Sequence, residues 1–470
     1  MEKKRGISKI GLIALVVSSS IGSGIFGITN DLAMSAAPGP AIIAWIIVGI
    51  GILALVLSLN NLGAKRPDLD GGIFGYAEVA FGKLGGFISG WGYWLSAWLG
   101  NVAFATMLMS AIGEFIPAFK GGQNIPSILL ASVFIWVLTF LVNNGIESAS
   151  FINTIVTICK LVPLFLFMVI ALVSFHVDIF SADFWGNVSS SLQSGASVSL
   201  WSQIKGCLMV MMWVFVGIEG ASVLANRAKK RSDAQKASVI GLLSLLVIYV
   251  LASLLPYGVM SQAELMALPQ PAMANILRYM VGEWGAAFIN IGLIISIIGC
   301  WLSWTMLPVE TTLLMSRDGM LPKSWGKVNR KQAPSYSLFI TAALTNVFLL
   351  TFLVTDYAYQ FAYSMCTAAI LICYLLVGIY QMIYSYQQKD NKQLFIGAVA
   401  TAFQIIGITL AGFAYVLLCS IAYLPGFYFY LRACKENNYQ ISNSQKMVMA
   451  VVSLAAVLSI VAIATGMISV

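Results

Sequence analysis

Charge is what this 470-residue chain has least of. Asp, Glu, Lys and Arg make up 9% of it and apolar residues 59%, where soluble domains run near 25% and 45–50%. A string of soluble domains is excluded, and the apolar runs are too long for buried strands. Histidine is nearly missing: His176 is the single one, which argues against metal sites or triads built on imidazole. The seven cysteines include no C-x-x-C pair and mostly sit inside apolar runs, so they read as small apolar residues. Polar linkers and low-complexity stretches are missing too. The longest polar stretches cover about 178–203 and 435–446. The chain therefore reads as one transmembrane domain over 1–470, with little soluble mass for a second activity. The net charge of +8 is scattered over short loops rather than gathered on one face, which speaks against nucleic acid as a partner.

What is present is a series of apolar runs near the roughly 20 residues a spanning helix needs. Thirteen are expected, at about 9–32, 41–62, 86–113, 126–142, 152–175, 205–226, 237–260, 284–316, 336–354, 358–384, 394–411, 413–431 and 447–468. The run from Leu394 to Leu431 is too long for one crossing and is divided near Gly412. The first run follows Met1-Glu2-Lys3-Lys4-Arg5 without a small-residue cleavage site, and reads as a retained helix rather than a signal peptide. With the N-terminus inside, 22 of the 26 Lys and Arg fall on the cytoplasmic side. Lys120, Lys205 and Arg278 fall outside, and Lys160 lies within a helix. That asymmetry predicts a multi-pass protein of the plasma membrane with a cytoplasmic N-terminus and an extracellular C-terminus.

Two of the thirteen segments are interrupted. The first carries Gly22-Ser23-Gly24-Ile25-Phe26-Gly27 after Ser18-Ser19-Ser20, and the sixth carries Gly217-Ile218-Glu219-Gly220-Ala221. Small residues alone also serve close helix packing. Two glycine-broken segments at matching depth, five segments apart, point instead to a pair of five-helix repeats of opposite topology. These would cover about 9–175 and 205–384, with accessory helices over about 394–468. Such paired breaks are the best pointer in a sequence to a transporter's central site. Their freed N–H groups suit a carboxylate and their freed carbonyls an ammonium. Three charges within the segments are candidates for a role: Glu219 at the second break, Lys160 in the fifth segment and Glu310 after Trp304-Thr305 in the eighth. An intramembrane charge is costly and usually functional, although an ion pair or a snorkelling end would also account for one. No cofactor or metal is expected, because no cluster of metal ligands is present.

These stretches resemble a known family. Gly22-Ser23-Gly24-Ile25-Phe26, Trp213-Val214-Phe215-Val216-Gly217-Ile218-Glu219-Gly220-Ala221 and Ser303-Trp304-Thr305 are similar to motifs of the amino acid–polyamine–organocation superfamily, and Asp70-Gly71-Gly72-Ile73-Phe74-Gly75-Tyr76 resembles its first cytoplasmic loop. The resemblance runs to about residue 434 and is strongest to the basic amino acid/polyamine antiporters, within them to the arginine/ornithine branch. It implies an all-α, LeuT-like 5+5 inverted repeat with broken helices 1 and 6, and sodium-independent exchange. Carried over position by position, Ser20, Ser23 and Gly24 would hold the substrate's α-carboxylate and α-amine. Ser96, Ala97 and Asn101 would border its side chain, with Trp213 and Ile218 at the second break. Trp304 would stack on a guanidinium. Tyr93 and Trp213 match gating aromatics, Glu219 an acid-sensing carboxylate, and Lys160 the fifth-helix lysine of proton-coupled relatives. Ala97 departs from the agmatine antiporter, which has cysteine there.

Together these features imply an antiporter that carries arginine one way and ornithine the other by alternating access. Another cationic pair (lysine/cadaverine or histidine/histamine) and a proton-coupled amino acid symporter remain open alternatives. An intramembrane enzyme is disfavoured by the missing histidines and metal ligands, and a channel by the lack of a carbonyl filter or charged ring. The expected partners are cationic amino acids, the lipid bilayer and a second copy in a homodimer. The orientation is directly testable: a reporter fused after Val470 should be active only in the form that requires an extracellular location. A cytoplasmic signal would mean an even number of crossings.

Overall fold

The computed structural model describes Lys9, Ile13, Val16, Val17 and the runs 20–69, 72–144, 146–186, 199–219, 231–353, 358–411 and 413–465. Among these residues there is helix and no strand. The helices are α1 (Gly24–Ala33), α2 (Pro38–Lys65), α3 (Gly72–Gly113), α4 (Ile125–Asn143), α5 (Ile146–Val173) and the short α6 (Val177–Ala182). They continue with α7 (Leu200–Trp213), α8 (Arg231–Leu254), α9 (Gln262–Ala267), α10 (Ala272–Val281) and α11 (Glu283–Arg317). The last are α12 (Ser335–Leu349), α13 (Ala358–Gln387), α14 (Asn391–Ile406), α15 (Phe413–Glu436) and α16 (Asn443–Ala464).

Helix is found in every one of the thirteen apolar segments. Nine helices among the described residues are long and apolar enough to cross a membrane. Four of the thirteen segments are not among them: the first and sixth are broken, and the fifth and ninth contribute only the shorter apolar helices Lys160–Val173 and Ser335–Leu349. Helical residues up to Ser20 give way at Ile21, Gly22 and Ser23 before α1 begins, and α7 stops at Trp213, with turns over 214–219. Gly220 and Ala221, like Ser18, Ser19, Asp70 and Gly71, lie outside the described residues. The run divided near Gly412 separates into α14, a π-helical turn over Gly407–Ala411, and α15. The chain is an all-α polytopic membrane protein. Its outward stripes are apolar, as lipid requires: Leu129, Val133 and Val137 on α4, and Val162, Phe165, Val169 and Leu172 on α5, are all more than half exposed.

By internal packing the chain forms two units. The first comprises Met1–Val56, Phe104–Ala131 and Phe151–Trp301. Here α1 packs against α7, α8, α9 and α10. Pro163 of α5 fits against Gly292 of α11, and Val156 against Gly299, where small residues let the helices approach closely. Trp45 of α2 donates its indole N–H to Ser253 Oγ of α8 (3.0 Å) and stacks on Tyr249.

The second unit comprises Leu57–Ala103, Ser132–Ser150 and Leu302–Val470. Its seam joins α3 to α13 in antiparallel register. Cys373 Sγ donates to the Ser89 carbonyl at 3.1 Å, and seven residues on, Ser96 Oγ meets Cys366 Sγ at 3.2 Å. Gly92 lies between these links, where a Cβ would come within 2.6 Å of the Tyr423 hydroxyl. Tyr423 in turn donates to the Ile88 carbonyl, which ties α15 to the same face of α3. An aromatic cluster of Trp91, Trp94, Trp325 and Phe429 continues this core.

Candidate functional site

Each unit holds part of the residue set singled out above. In the first unit the broken segment frees carbonyl groups that a continuous helix would have used. Two of them have specific donors. Lys160, fully buried on α5, places Nζ 2.9 Å from the carbonyl of Ile21. Tyr249 of α8 places its hydroxyl 2.9 Å from the carbonyl of Ser20 and 2.7 Å from that of Val214. A phenol has one proton to give, so Tyr249 shares it between the first break and the second.

Ser23 immediately precedes α1, is fully buried, and its hydroxyl has no partner. The hydroxyl of Ser20 is likewise buried and unpartnered. The first N–H groups of α1 open at Gly24, where the helix dipole favours an anion. Gly24 is obligatory on steric grounds, since a Cβ there would lie 2.7 Å from the Trp213 indole nitrogen. Trp213 also packs against Phe104, with ring centroids 6.1 Å apart. At the second break Gly217 takes φ +104°, a region open to glycine. Its N–H donates to Glu219 Oε2 at 3.1 Å, which holds that buried carboxylate against the unwound backbone beside the buried Ile218. The structure thus brings Ser20, Ser23, Gly24, Lys160, Trp213, Ile218 and Glu219 into one unit.

In the second unit one face of α3 presents Tyr93, Ser96, Ala97 and Asn101, all buried. The Tyr93 ring lies 6.1 Å from that of Trp304 on α11. Asn101 Nδ2 donates to the Trp304 carbonyl at 3.3 Å, while Asn101 Oδ1 is buried with no partner. The indole is therefore positioned from its ring face and from its main chain, and an amide oxygen remains to accept from a cationic ligand. Glu310, further along α11, is only half-buried.

Two residues escaped the sequence reading. Tyr249 sits in an ordinary apolar run, and nothing in its spacing marks it as the donor to both breaks. Asp31, a charge near the end of the first segment, is not among the candidates drawn from the sequence, yet it is buried in α1.

A model of the amino acid permease family matches residues 7–428. The chain belongs to that family. Curated relatives of this permease extend over its whole length. It is 57% identical to an arginine/ornithine antiporter of Latilactobacillus sakei, over 99% of each chain. It is 38% identical to an arginine/ornithine antiporter of Pseudomonas aeruginosa, over 95% of each. Against an arginine/agmatine antiporter of Chlamydia caviae the identity is 36%, over 98% of this permease and 97% of that protein.

The two donors at the first break should behave differently when removed. Lys160→Ala leaves the Ile21 carbonyl without a charged donor and should abolish transport at every pH. Tyr249→Phe removes one shared proton and should slow transport, by about tenfold for a loss near 1–1.5 kcal/mol. Initial uptake rates normalised to the amount of protein in the membrane will show this. Wild-type rates in Lys160→Ala would mean that its bond to Ile21 does not hold the break.

Proposed function

We propose that this permease is a sodium-independent antiporter that exchanges arginine for ornithine by alternating access. The observation that carries the proposal is the whole-length 57% identity to an arginine/ornithine antiporter. The chemistry of the two residue sets supports it. Both substrates share an α-carboxylate, an α-ammonium and a cationic side chain. The N-terminus of α1 with Ser23 suits the carboxylate, and the carbonyls released by the breaks suit the α-ammonium. Trp304 offers a ring face and Asn101 an acceptor oxygen to the side-chain cation, with Ser96 and Ala97 bordering it. A cation over a desolvated indole gains about 0.5–2 kcal/mol. Tyr93 and Trp213 act as aromatic gates. Glu219 is the gating or acid-sensing group, since its carboxylate holds the N–H of Gly217 inside the second break.

Lys160 explains the independence from sodium. Its ammonium is a fixed positive charge on a freed carbonyl of the first break, so no dissolved cation is needed there. Arginine and ornithine carry the same net charge near neutral pH, and one-for-one exchange moves no net charge. We further read the chain as a single transmembrane domain of two inverted repeats, about 9–175 and 205–384, in the plasma membrane with the N-terminus in the cytoplasm.

Counterflow in proteoliposomes tests the exchange. Vesicles loaded with unlabelled ornithine should take up labelled arginine, and empty vesicles should not, with or without a sodium gradient. Lysine-loaded vesicles test the competing substrate pair. Sodium-driven uptake into empty vesicles would overturn the reading. For the side-chain subsite, Trp304→Leu keeps an apolar filler but removes the quadrupole, so arginine affinity should fall by about 2- to 30-fold. An unchanged affinity would return Trp304 to a packing role.

A further inference from the structure

Asp31 lies seven residues, about two helical turns, beyond the start of α1 at Gly24. Its side chain is 6% exposed, and a buried charge within a membrane segment asks for a function. The groups around it are amides. Gln270 Nε2 faces three oxygens: the Gly27 carbonyl at 3.3 Å, Asn30 Oδ1 at 3.5 Å and Asp31 Oδ1 at 3.4 Å. The orientation of that amide is fixed, because its oxygen accepts from the N–H of Ala272. Asn30 Nδ2 faces three more oxygens, the carbonyls of Leu265, Met266 and Leu268 at the end of α9, at 3.0, 2.9 and 3.1 Å. Backbone N–H groups serve some of these carbonyls as well, that of Leu268 bonding the Leu265 carbonyl. Asp31 Oδ2 is buried and has no partner at all. The carboxylate is short of donors.

A metal cation would bring no donor and would be opposed by the N–H pair of Gln270. A proton fits. We propose that Asp31 is a proton-binding site of this permease, and that its protonation fastens α1 to the α9–α10 segment. The proton comes from water onto a carboxylate oxygen and removes the buried charge that one long hydrogen bond leaves almost unsolvated. When the proton leaves, a carboxylate is buried against one long hydrogen bond. That arrangement is costly, and α1 loosens from α9 and α10. Because α1 starts at the break, proton occupancy at Asp31 sets how firmly the first broken segment is held.

The other charged or titratable groups on the elements packed against α1 are engaged elsewhere or set apart. Tyr249 of α8 bonds to the carbonyls of Ser20 and Val214, and Tyr257, just after α8, bonds to the Ala36 carbonyl. Glu264 of α9 bonds to Ser261. Arg278 of α10 pairs with Glu114 and Glu283, and its neighbour Tyr279 is exposed. On α7, Cys207 is buried and Lys205 is half-buried. Among the described residues none of these bonds to Asp31.

The test compares the purified wild type with D31N, D31S, Q270L and E219Q. The first readout is arginine/ornithine exchange from pH 5 to 8. The second, which needs no substrate, is amide hydrogen exchange over residues 261–272, corrected for its intrinsic pH dependence. D31N and D31S carry permanent donors. They should keep exchange activity while their rates vary less than about twofold over the range in which a single titration gives the wild type up to about tenfold per pH unit. Protection of residues 261–272 should fall with rising pH in the wild type and stay constant in D31N. Q270L removes a donor pair and should lower that protection throughout the range. A wild-type pH profile in both readouts for D31N would overturn the proposal, and so would a profile flattened by E219Q alone. Should exchange fail in the wild type, the arginine/ornithine reading falls while the hydrogen-exchange arm still decides on Asp31.

Discussion

A carbonyl released from a helix inside hydrocarbon has no water to turn to, and must be given a donor by the protein. The first broken segment depends on that condition. Its carbonyl at Ile21 meets the ammonium of Lys160, and that at Ser20 meets the N–H of Gly22 and the hydroxyl of Tyr249. The two donors differ in kind. Lys160 brings full charge to one carbonyl, which makes a charge-assisted and comparatively strong bond. Tyr249 divides a single proton between two breaks, so a change at Ser20 is felt at Val214 through one hydroxyl group.

The second unit solves a different problem, the placement of an aromatic face. Trp304 is approached by the ring of Tyr93 and by the amide of Asn101. The residues that position it come from α3, and α3 is itself held to α13 by links at Ser89 and Ser96 and to α15 through Ile88. A side chain meant to stack on a cation needs its plane set before the cation arrives, because ordering it on binding would consume part of a modest interaction.

Much of this was legible in the chain. Low charge and long apolar runs gave the class, and the glycine pairs at Gly22/Gly24 and Gly217/Gly220 located both interruptions. The isolated charges Lys160 and Glu219 stand out in sequence because each is expensive where it lies. Tyr249 and Gln270 could not be read the same way. They are one turn-forming or apolar-run residue among many, and their importance comes from partners more than two hundred positions away in sequence. Asp31 fell between these cases. Its charge was visible, but whether the end of an apolar run is buried depends on what the loops beyond it do, and here α9 and α10 fold back over it.

Three glycines of the first segment have a shared mechanical meaning. Phe104 and Cys300 fill the space a Cβ would take at Gly22, the Trp213 indole does so at Gly24, and the Gln270 amide does so at Gly27. Each glycine is thus a socket occupied by a side chain from a different part of the chain. Rotation of this segment about its own axis would drive backbone into all three occupants at once, and sliding along the axis would expel them together. The motions left to it are tilts in which its occupants travel along, so the glycines that permit the break also restrict the directions in which it can move.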